Sequence, residues 1–176
     1  MLDCIILGDS LAVGVGQARS DCEIAAISGI TSDRYVQIFP GMHHVRTAII
    51  SLGANDGDGA GTADNLTHLR SHVLADTVYW LLTGSNDRIR NAVRAVAGRF
   101  GDRLIDAAPL AGPDHIHPDR TGYARLANET RGQGGGSSTQ VSAYQDFMPR
   151  DSVYRTFPTL KVWNGPDNLN GQPVKH

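Results

Sequence analysis

Short apolar runs alternate with longer amphipathic stretches over the first 131 or so positions of the chain. This alternation is typical of β-α-β units, in which parallel strands are buried beneath helices. The sequence therefore predicts an α/β domain built around a parallel sheet. The predicted strands are Leu2–Leu7, Glu23–Ile27, Thr47–Leu52, Thr77–Leu82 and Arg103–Ala107.

Between these strands, apolar residues recur at spacings of three and four, which is the period of a helix with one buried face. Ile89, Val93, Val96 and Phe100 would share such a face, and the neighbouring arginines would point elsewhere. A helix is also expected directly after the first strand. The other predicted helices are Ser32–Ile38, Thr62–Leu74, Asn86–Phe100 and Asp119–Thr130.

The character of the chain changes after the last predicted helix. Residues 132–138, GQGGGSS, have the composition of a flexible linker. Residues 139–176 hold four of the eight prolines and several aromatic residues without a sustained period. We therefore predict a domain over residues 1–131 and an extended C-terminal arm over residues 139–176, which would dock on a protein partner or a second copy of the chain.

The charge balance excludes some classes of partner. The 16 Lys and Arg residues nearly cancel the 18 Asp and Glu residues and form no basic run, so we expect no nucleic-acid binding. No uninterrupted apolar stretch approaches the roughly 20 residues that span a bilayer. Residues 1–8 offer neither a basic leader nor a cleavage site, so we expect no secretory signal and synthesis in the cytoplasm.

The two cysteines, Cys4 and Cys22, lie within or beside apolar segments. Because free cysteine is among the most buried residue types, we interpret them as buried thiols, with a disulfide as the alternative. They do not provide the ligand set of a zinc site. The Asp-rich loop after the third strand lacks the ligand spacing of an EF-hand. We predict no metal and no organic cofactor.

Polar motifs follow the predicted strands at their carboxyl ends, which is where parallel sheets bind ligands. Gly8–Ser10 follows the first strand, Ser28–Gly29 the second, and Gly53–Asp56 the third. The loop Pro113–Pro118, after the fifth strand, would reach the same rim. These four segments are the candidate functional site.

In order and in residue type, Gly8–Leu11, Gly29, Gly53–Asp56 and Asp114–His117 resemble the four signature blocks of the SGNH (GDSL-like) hydrolases. The resemblance covers about residues 2–130. It implies a flavodoxin-like, three-layer α/β/α sandwich with a five-stranded parallel sheet. It also implies a serine esterase. The α/β-hydrolases share the order Ser, Asp, His, but their serine lies in a G-x-S-x-G motif.

The resemblance assigns Ser10 as nucleophile, with His117 and Asp114 completing a catalytic triad. A serine hydroxyl needs a nearby base to take its proton as it attacks an ester carbonyl, and His117 would be that base. Asp114 lies three residues earlier, so its carboxylate can reach the imidazole and fix its tautomer. His115 competes with His117 for this role, although the D-x-x-H spacing favours His117.

The resemblance also implies an oxyanion hole formed by the backbone N–H groups of Ser10 and Gly29 and by the side-chain amide of Asn55. Simpler interpretations exist for these residues. Ser10 could simply be the cap of the following helix and have no catalytic role, since serine caps helices well. Asn55 and Asp56 could simply be turn-forming residues with no role in binding or catalysis.

The short stretch between Asp56 and Asp114 leaves little material for a lid, so we expect a shallow site for small acyl groups such as acetyl, plausibly on a carbohydrate or cell-wall polymer. The alternative is a structural role in a larger assembly, for example a phage virion, with the domain as a passenger or a glycan-binding module. The motivation for this alternative is the arm over residues 139–176.

Overall fold

The computed structural model describes residues 2–83 and 86–131, together with the backbone of two strands at 152–156 and 159–163. The strands form one seven-stranded sheet in the order β5-β4-β3-β1-β2-β6-β7. The first five strands are parallel, as predicted, and the last two are antiparallel. The strands are β1 Leu2–Gly8, β2 Glu23–Ala26, β3 His43–Ser51, β4 Val73–Leu82, β5 Arg103–Asp106, β6 Ser152–Thr156 and β7 Thr159–Trp163.

Five α-helices connect the strands in the described part of the chain, and a short 3₁₀ turn at Ala108–Leu110 precedes the last helix. Polar side chains cap several of them: Asn86 accepts from the Ile89 N–H, and Asp119 accepts from the Gly122 N–H. The helices are α1 Ser10–Ala18, α2 Ser32–Ile38, α3 Thr62–Ser71, α4 Asp87–Phe100 and α5 Arg120–Glu129.

The helices cover both faces of the parallel sheet. One buried cluster joins Leu7 and Ile50 of the sheet to residues of α2, α3 and α4. The other joins Ile6 and Ile49, the neighbours of those two residues, to residues of α1 and α5. Successive side chains of a strand point to opposite faces, so β1 and β3 contribute to both clusters. The predicted three-layer α/β/α sandwich is therefore confirmed.

The largest differences from the predicted boundaries lie at the edge where β3 and β4 begin, and the others are mostly of one residue. The strand β3 starts at His43, four residues earlier than predicted, and β4 starts at Val73, within the predicted helix Thr62–Leu74. The parallel pairing of His43 with Val73 explains both differences. A strand partner that is distant in sequence overrides the local helical pattern there.

The interpretation of Cys4 and Cys22 as buried thiols is wrong in this structure. Their sulfur atoms form a disulfide bond. Cys4 lies in β1, and Cys22 immediately precedes β2. Because Ile5 pairs with Glu23 in the parallel register, the two cysteines lie side by side on neighbouring chain segments. The bond closes the β1-α1-β2 unit into a loop.

Part of the predicted C-terminal arm extends the sheet. The strand β6 pairs antiparallel with β2, where Ala25 lies opposite Tyr154, and β7 pairs with β6. The proposed linker 132–138 and the remaining parts of the predicted arm lie outside the described residues, as does the side chain of Trp163. The docking role of the arm stays a prediction.

None of the helices in the described ranges combines the length and the apolar character that a membrane span requires. Within those ranges, no group of three or more His, Cys, Asp or Glu side chains is arranged to hold a metal ion.

Candidate active site

Ser10 lies at the switch point of the sheet. The strand β1 connects to β2 on one side and lies beside β3 on the other, and this reversal opens a crevice at the carboxyl ends of β1 and β3. Ser10 is the first residue of α1, directly after that end of β1. The topology therefore presents the Ser10 hydroxyl at the ligand-binding rim of the sheet.

The turn before Ser10 requires glycine at position 8. Gly8 has a φ of 133°, and a Cβ atom placed there would lie 1.7 Å from the carbonyl oxygen of Ser51. The next residue, Asp9, donates its backbone N–H to the same oxygen at 2.8 Å. The chain thus leaves β1 in close contact with the end of β3, which fixes the start of α1.

Asp9, rather than Ser10, is the cap of α1. Its Oδ1 atom accepts hydrogen bonds from the Leu11 N–H at 3.1 Å and from the Ser51 hydroxyl at 2.9 Å. The capping role that we considered for Ser10 therefore belongs to its neighbour, and the Ser10 hydroxyl bonds elsewhere. Burial of Asp9 raises the pKa of its carboxyl to about 6, although its hydrogen bonds oppose the shift.

His117 and Asp114 lie together in the loop between β5 and α5. The Gly112 N–H donates to the His117 carbonyl at 2.7 Å, and Ala111 bridges to Pro118, so the loop closes on itself. Asp114 stabilises its interior, since its Oδ1 atom accepts from the Ile116 N–H at 3.0 Å and the His117 N–H at 2.8 Å. This tight turn holds the carboxylate beside the imidazole.

The three predicted triad residues form one chain of hydrogen bonds. The Ser10 Oγ lies 2.8 Å from the His117 Nε2, although 107 positions separate the two residues in the sequence. The His117 Nδ1 lies 2.6 Å from the Asp114 Oδ2. With the imidazole proton on Nδ1, the ring donates to the carboxylate and its Nε2 accepts from the hydroxyl. This is the arrangement that activates a serine.

His115 does not take part in this chain of bonds. The imidazole that bonds to Ser10 is that of His117, while His115 is exposed. Among the described residues other than glycine, His115 alone has a positive φ, 61°. Its left-handed backbone lets the loop turn between Asp114 and His117. Of the two histidines, His117 is the one whose imidazole contacts Ser10.

The Asp114 carboxyl is ionised in the folded protein. The backbone N–H of Ile116, together with the side chain and the backbone N–H of His117, holds the pKa of this carboxyl well below its usual range. Its side chain is 52% exposed, whereas that of His117 is 22% exposed. The site is therefore open on the Asp114 side, and the carboxylate stays charged at neutral pH.

The structure places Gly29 and Asn55 in two neighbouring loops at the same rim. Gly29, in the β2-α2 loop, has a φ of 76°, and nothing lies within 4 Å of where its Cβ would be. A pocket of about 290 Å³ adjoins it, lined by Ile27, Ile30 and further residues of that loop and of α2. Asn55, in the β3-α3 loop, is exposed and donates one amide hydrogen to the Ile30 carbonyl at 3.0 Å. Its second amide hydrogen can be offered to a ligand.

Asp56 has more contacts than a simple turn would require. Its Oδ1 accepts from the Ser32 N–H at 2.7 Å, and its Oδ2 accepts from the Ser32 hydroxyl at 2.5 Å and the Thr62 hydroxyl at 2.6 Å. These contacts could not be predicted from the sequence, and neither could the hydrogen bond from Ser51 to Asp9. A polar residue at the end of an apolar strand, as in the run Ile49–Leu52, is the only local signal that could have indicated Ser51.

Comparison with known proteins finds no matching family model and no matching curated relative. Solved structures do match. A lipolytic protein of the G-D-S-L family from Veillonella parvula aligns over 73% of this chain and 96% of its own, with a TM-score of 0.52 and 13% identity. The inhibitor-bound aryl esterase of M. smegmatis aligns over 74% and 99%, with a TM-score of 0.50 and 13% identity. The protein has the SGNH hydrolase fold.

The structural likeness confirms the fold expected from the motifs, and at this level of identity it concerns the fold alone. The four segments that carry the candidate residues lie at one rim of the sheet. They lie at the carboxyl ends of strands of the parallel sheet or in the loops that follow, and comprise Gly8–Leu11, Gly29, Gly53–Asp56 and Asp114–His117.

Proposed function

We propose that the protein is a serine esterase that hydrolyses small acyl esters through an acyl-enzyme. The observation that carries the proposal is the pair of contacts on His117, 2.8 Å from its Nε2 to the Ser10 Oγ and 2.6 Å from its Nδ1 to the Asp114 Oδ2. Both contacts are within the hydrogen-bonding distance that nucleophile activation requires.

The reaction follows from these bonds. The Ser10 Oγ attacks the ester carbonyl while the His117 Nε2 takes the hydroxyl proton. The tetrahedral intermediate collapses as the imidazolium gives that proton to the leaving alcohol oxygen, and the acyl group remains on Ser10. A water molecule, deprotonated by the same nitrogen, then attacks the acyl carbonyl. The second tetrahedral intermediate collapses as the imidazolium returns this proton to the Ser10 Oγ, and the acid is released. Asp114 stabilises the imidazolium in both halves.

The oxyanion of the intermediate needs hydrogen-bond donors. Ser10 begins α1, and the first N–H groups of a helix lack intrahelical partners, so its backbone N–H can donate. The open space beside Gly29 and the second amide hydrogen of Asn55 support donation from those two residues. Together they provide three donors for one oxygen.

Several observations support a small acyl group. Half of the Asp114 side chain is exposed, which is typical of an open site rather than a deep acyl tunnel. The chain between the Asn55 loop and the Asp114 loop is largely occupied by α3, β4, α4 and β5, which leaves little length for a lid. An acetyl ester, borne by a carbohydrate or cell-wall polymer, is the substrate that we propose. The aryl esterase fold match is consistent with ester chemistry.

The first experiment tests the mechanism. The purified protein is treated with a fluorophosphonate, digested and examined by mass spectrometry. We expect a covalent adduct on Ser10 and parallel loss of p-nitrophenyl acetate hydrolysis. The Ser10→Ala variant should give neither. Full activity in Ser10→Ala would rule out the proposed nucleophile.

A second experiment tests the substrate. The kcat/KM values for p-nitrophenyl esters from acetyl to decanoyl are compared, and acetate release from acetylated glycans is then measured. We expect the acetyl ester to be preferred and the long esters to be poor substrates. A preference that rises with chain length would contradict a shallow site.

A place in a larger assembly such as a virion, reached after cytoplasmic synthesis, stays a separate proposal.

A further inference from the structure

The β3-α3 loop carries two adjacent polar residues, Asn55 and Asp56. Asn55 is exposed, whereas Asp56 is half-buried. Its two carboxylate oxygens accept three hydrogen bonds, two from Ser32 and one from Thr62, at 2.5 to 2.7 Å. Ser32 and Thr62 are both buried, at 1% and 0% exposure. Both oxygens of the half-buried Asp56 carboxylate therefore accept hydrogen bonds from donors on buried residues.

These donors belong to two different parts of the rim. Ser32 begins α2, at the end of the β2-α2 loop that contains Gly29, whereas Thr62 begins α3. The Ser32 hydroxyl also accepts from the Asn65 amide at 2.9 Å, which ties the group to the first turns of α3. The carboxylate of Asp56 thus connects the loop before α2 to the start of α3.

A second bond joins the same two loops. Asn55 donates its amide to the Ile30 carbonyl at 3.0 Å, so the side chains of two consecutive residues both reach across to the β2-α2 loop. Charge-assisted bonds to a carboxylate are shorter and stronger than neutral ones. Of the two links, the one through Asp56 therefore contributes more to the spacing between the loops.

We propose that Asp56 is a positioning residue that sets the distance between the Gly29 N–H and the Asn55 amide, so that both point at one oxyanion. The proposal rests on the esterase function above. Stabilisation of an oxyanion depends on donors that are held in place before the reaction. Asp56 touches no substrate, and its effect on the rate passes through Asn55 and the loop of Gly29.

The neighbouring Asp58 provides a matched control. It lies in the same loop and is exposed, and its carboxylate accepts only from the nearby Ala60 N–H, at 2.9 Å, among the hydrogen bonds of the described residues. It bonds neither the β2-α2 loop nor α3. A substitution there changes the charge of the loop by the same amount without removing the connection.

The experiment compares Asp56→Ala, Asp58→Ala, Asn55→Ala and the double variant of positions 55 and 56, all assayed with p-nitrophenyl acetate well below their melting temperatures. Loss of one oxyanion donor typically costs about 10²–10³ in rate, so we expect Asp56→Ala to lower kcat by about 10-fold to 100-fold with little change in KM. Asp58→Ala should match the wild type.

The double variant separates positioning from a purely structural effect. If Asp56 acts through Asn55, the double variant should lose much less than the product of the two single losses. Asp56→Asn, which keeps one acceptor oxygen, should recover part of kcat. If Asp56→Ala does not fold, Thr62→Val removes one donor to the same carboxylate and should give a smaller fall in kcat.

Two results would overturn the proposal. One is an Asp56 variant with a lower melting temperature but a wild-type kcat, and the other is a double variant whose losses multiply. An active wild type with either result refutes the positioning role alone. A wild type that neither hydrolyses esters nor labels Ser10 refutes the proposed function, and the positioning role with it.

Discussion

The carboxylate of Asp9, one residue before Ser10, accepts a 2.9 Å hydrogen bond from the Ser51 hydroxyl, and both residues are fully buried. The bond joins the start of α1 to the end of β3, the two elements that flank the crevice. A second oxygen of Asp9, Oδ2, has no hydrogen-bond partner in the described residues. A buried carboxyl group is costly to ionise when one of its oxygens accepts no hydrogen bond.

This cost gives the first prediction, on stability against pH. Burial raises the pKa of Asp9 from 3.8 to about 6, while bonds from Ser51 and Leu11 and the nearby His117 oppose the shift. Because the folded protein favours the protonated form, the contribution of Asp9 to stability is complete below about pH 4 and is lost as the pH rises to about 6. Asp9→Asn stays neutral and should not show this loss.

The measurement is urea unfolding of the wild type and Asp9→Asn from pH 4 to pH 7. All other carboxyl groups are shared, so their contributions cancel in the difference. The free energy of unfolding of the wild type relative to the variant should fall across this range by on the order of 3 kcal/mol. This value follows from the rise in the pKa of Asp9 from 3.8 to about 6. A difference that does not vary with pH would show that the pKa of Asp9 is the same in the folded and unfolded protein.

The second prediction concerns Asp114, the acid of the proposed triad. Asp114→Asn keeps the shape of the side chain but removes the charge that stabilises the imidazolium, and it offers the His117 ring a donor in place of an acceptor. We expect kcat to fall by on the order of 10³-fold or more, with the fold intact by circular dichroism. A fall of only a few-fold would mean that another group orients His117.

His115→Asn is the matched control for that variant. Asparagine tolerates the positive φ of 61° at this position, so the loop keeps its turn, while the imidazole is lost. Its kcat should stay within about two-fold of the wild type, as expected of a surface residue outside the site. A loss comparable to that of Asp114→Asn would give His115 the role that we assign to His117.

The third prediction is structural. Gly8→Ala would place a methyl group 1.7 Å from the Ser51 carbonyl oxygen and force a side chain into a φ of 133°, so we expect no folded protein. Gly98→Ala, in α4, meets open space and should instead stabilise the helix by about 0.5–1 kcal/mol. Soluble yield and melting temperature distinguish the two. A Gly8→Ala protein that melts like the wild type would show that the β1-α1 turn can rearrange.

The parallel sheet and most of its helices could be predicted because their signals are local. Buried parallel strands are continuous apolar runs, and α4 repeats its apolar residues with a helical period. The meeting of Ser10, Asp114 and His117 at one rim could be expected from motifs at strand ends, since the fold itself brings such ends together. In each case a short segment carries the information, and the packing of the sheet does the rest.

What could not be predicted depends on pairings between distant segments. Cys4 and Cys22 become neighbours only through the register of β1 and β2, and nothing in their local sequence separates a disulfide from two thiols. The contacts of Asp56 with Ser32 depend on how two loops meet. The strand Ser152–Thr156 has little periodicity of its own and is defined by the free edge of β2.

The last prediction concerns the disulfide. Cys4 and Cys22 are 18 positions apart, and the loop that they close contains all of α1, including Ser10. A cross-link of this length restricts the unfolded chain and typically contributes about 3 kcal/mol to stability. Reduction should therefore lower the urea midpoint of the wild type, while the Cys4→Ala, Cys22→Ala double variant should not respond to the reductant.

Mass spectrometry checks the bond itself. Alkylation of the denatured, unreduced protein should modify neither cysteine, and both should react after reduction. Because the bond lies at the opposite end of β1 from Gly8, its reduction should shift stability more than the kcat of the molecules that remain folded. Two cysteines that alkylate without reduction would restore the interpretation of buried thiols, and a kcat that falls with reduction at constant fold would instead tie the bond to the placement of α1.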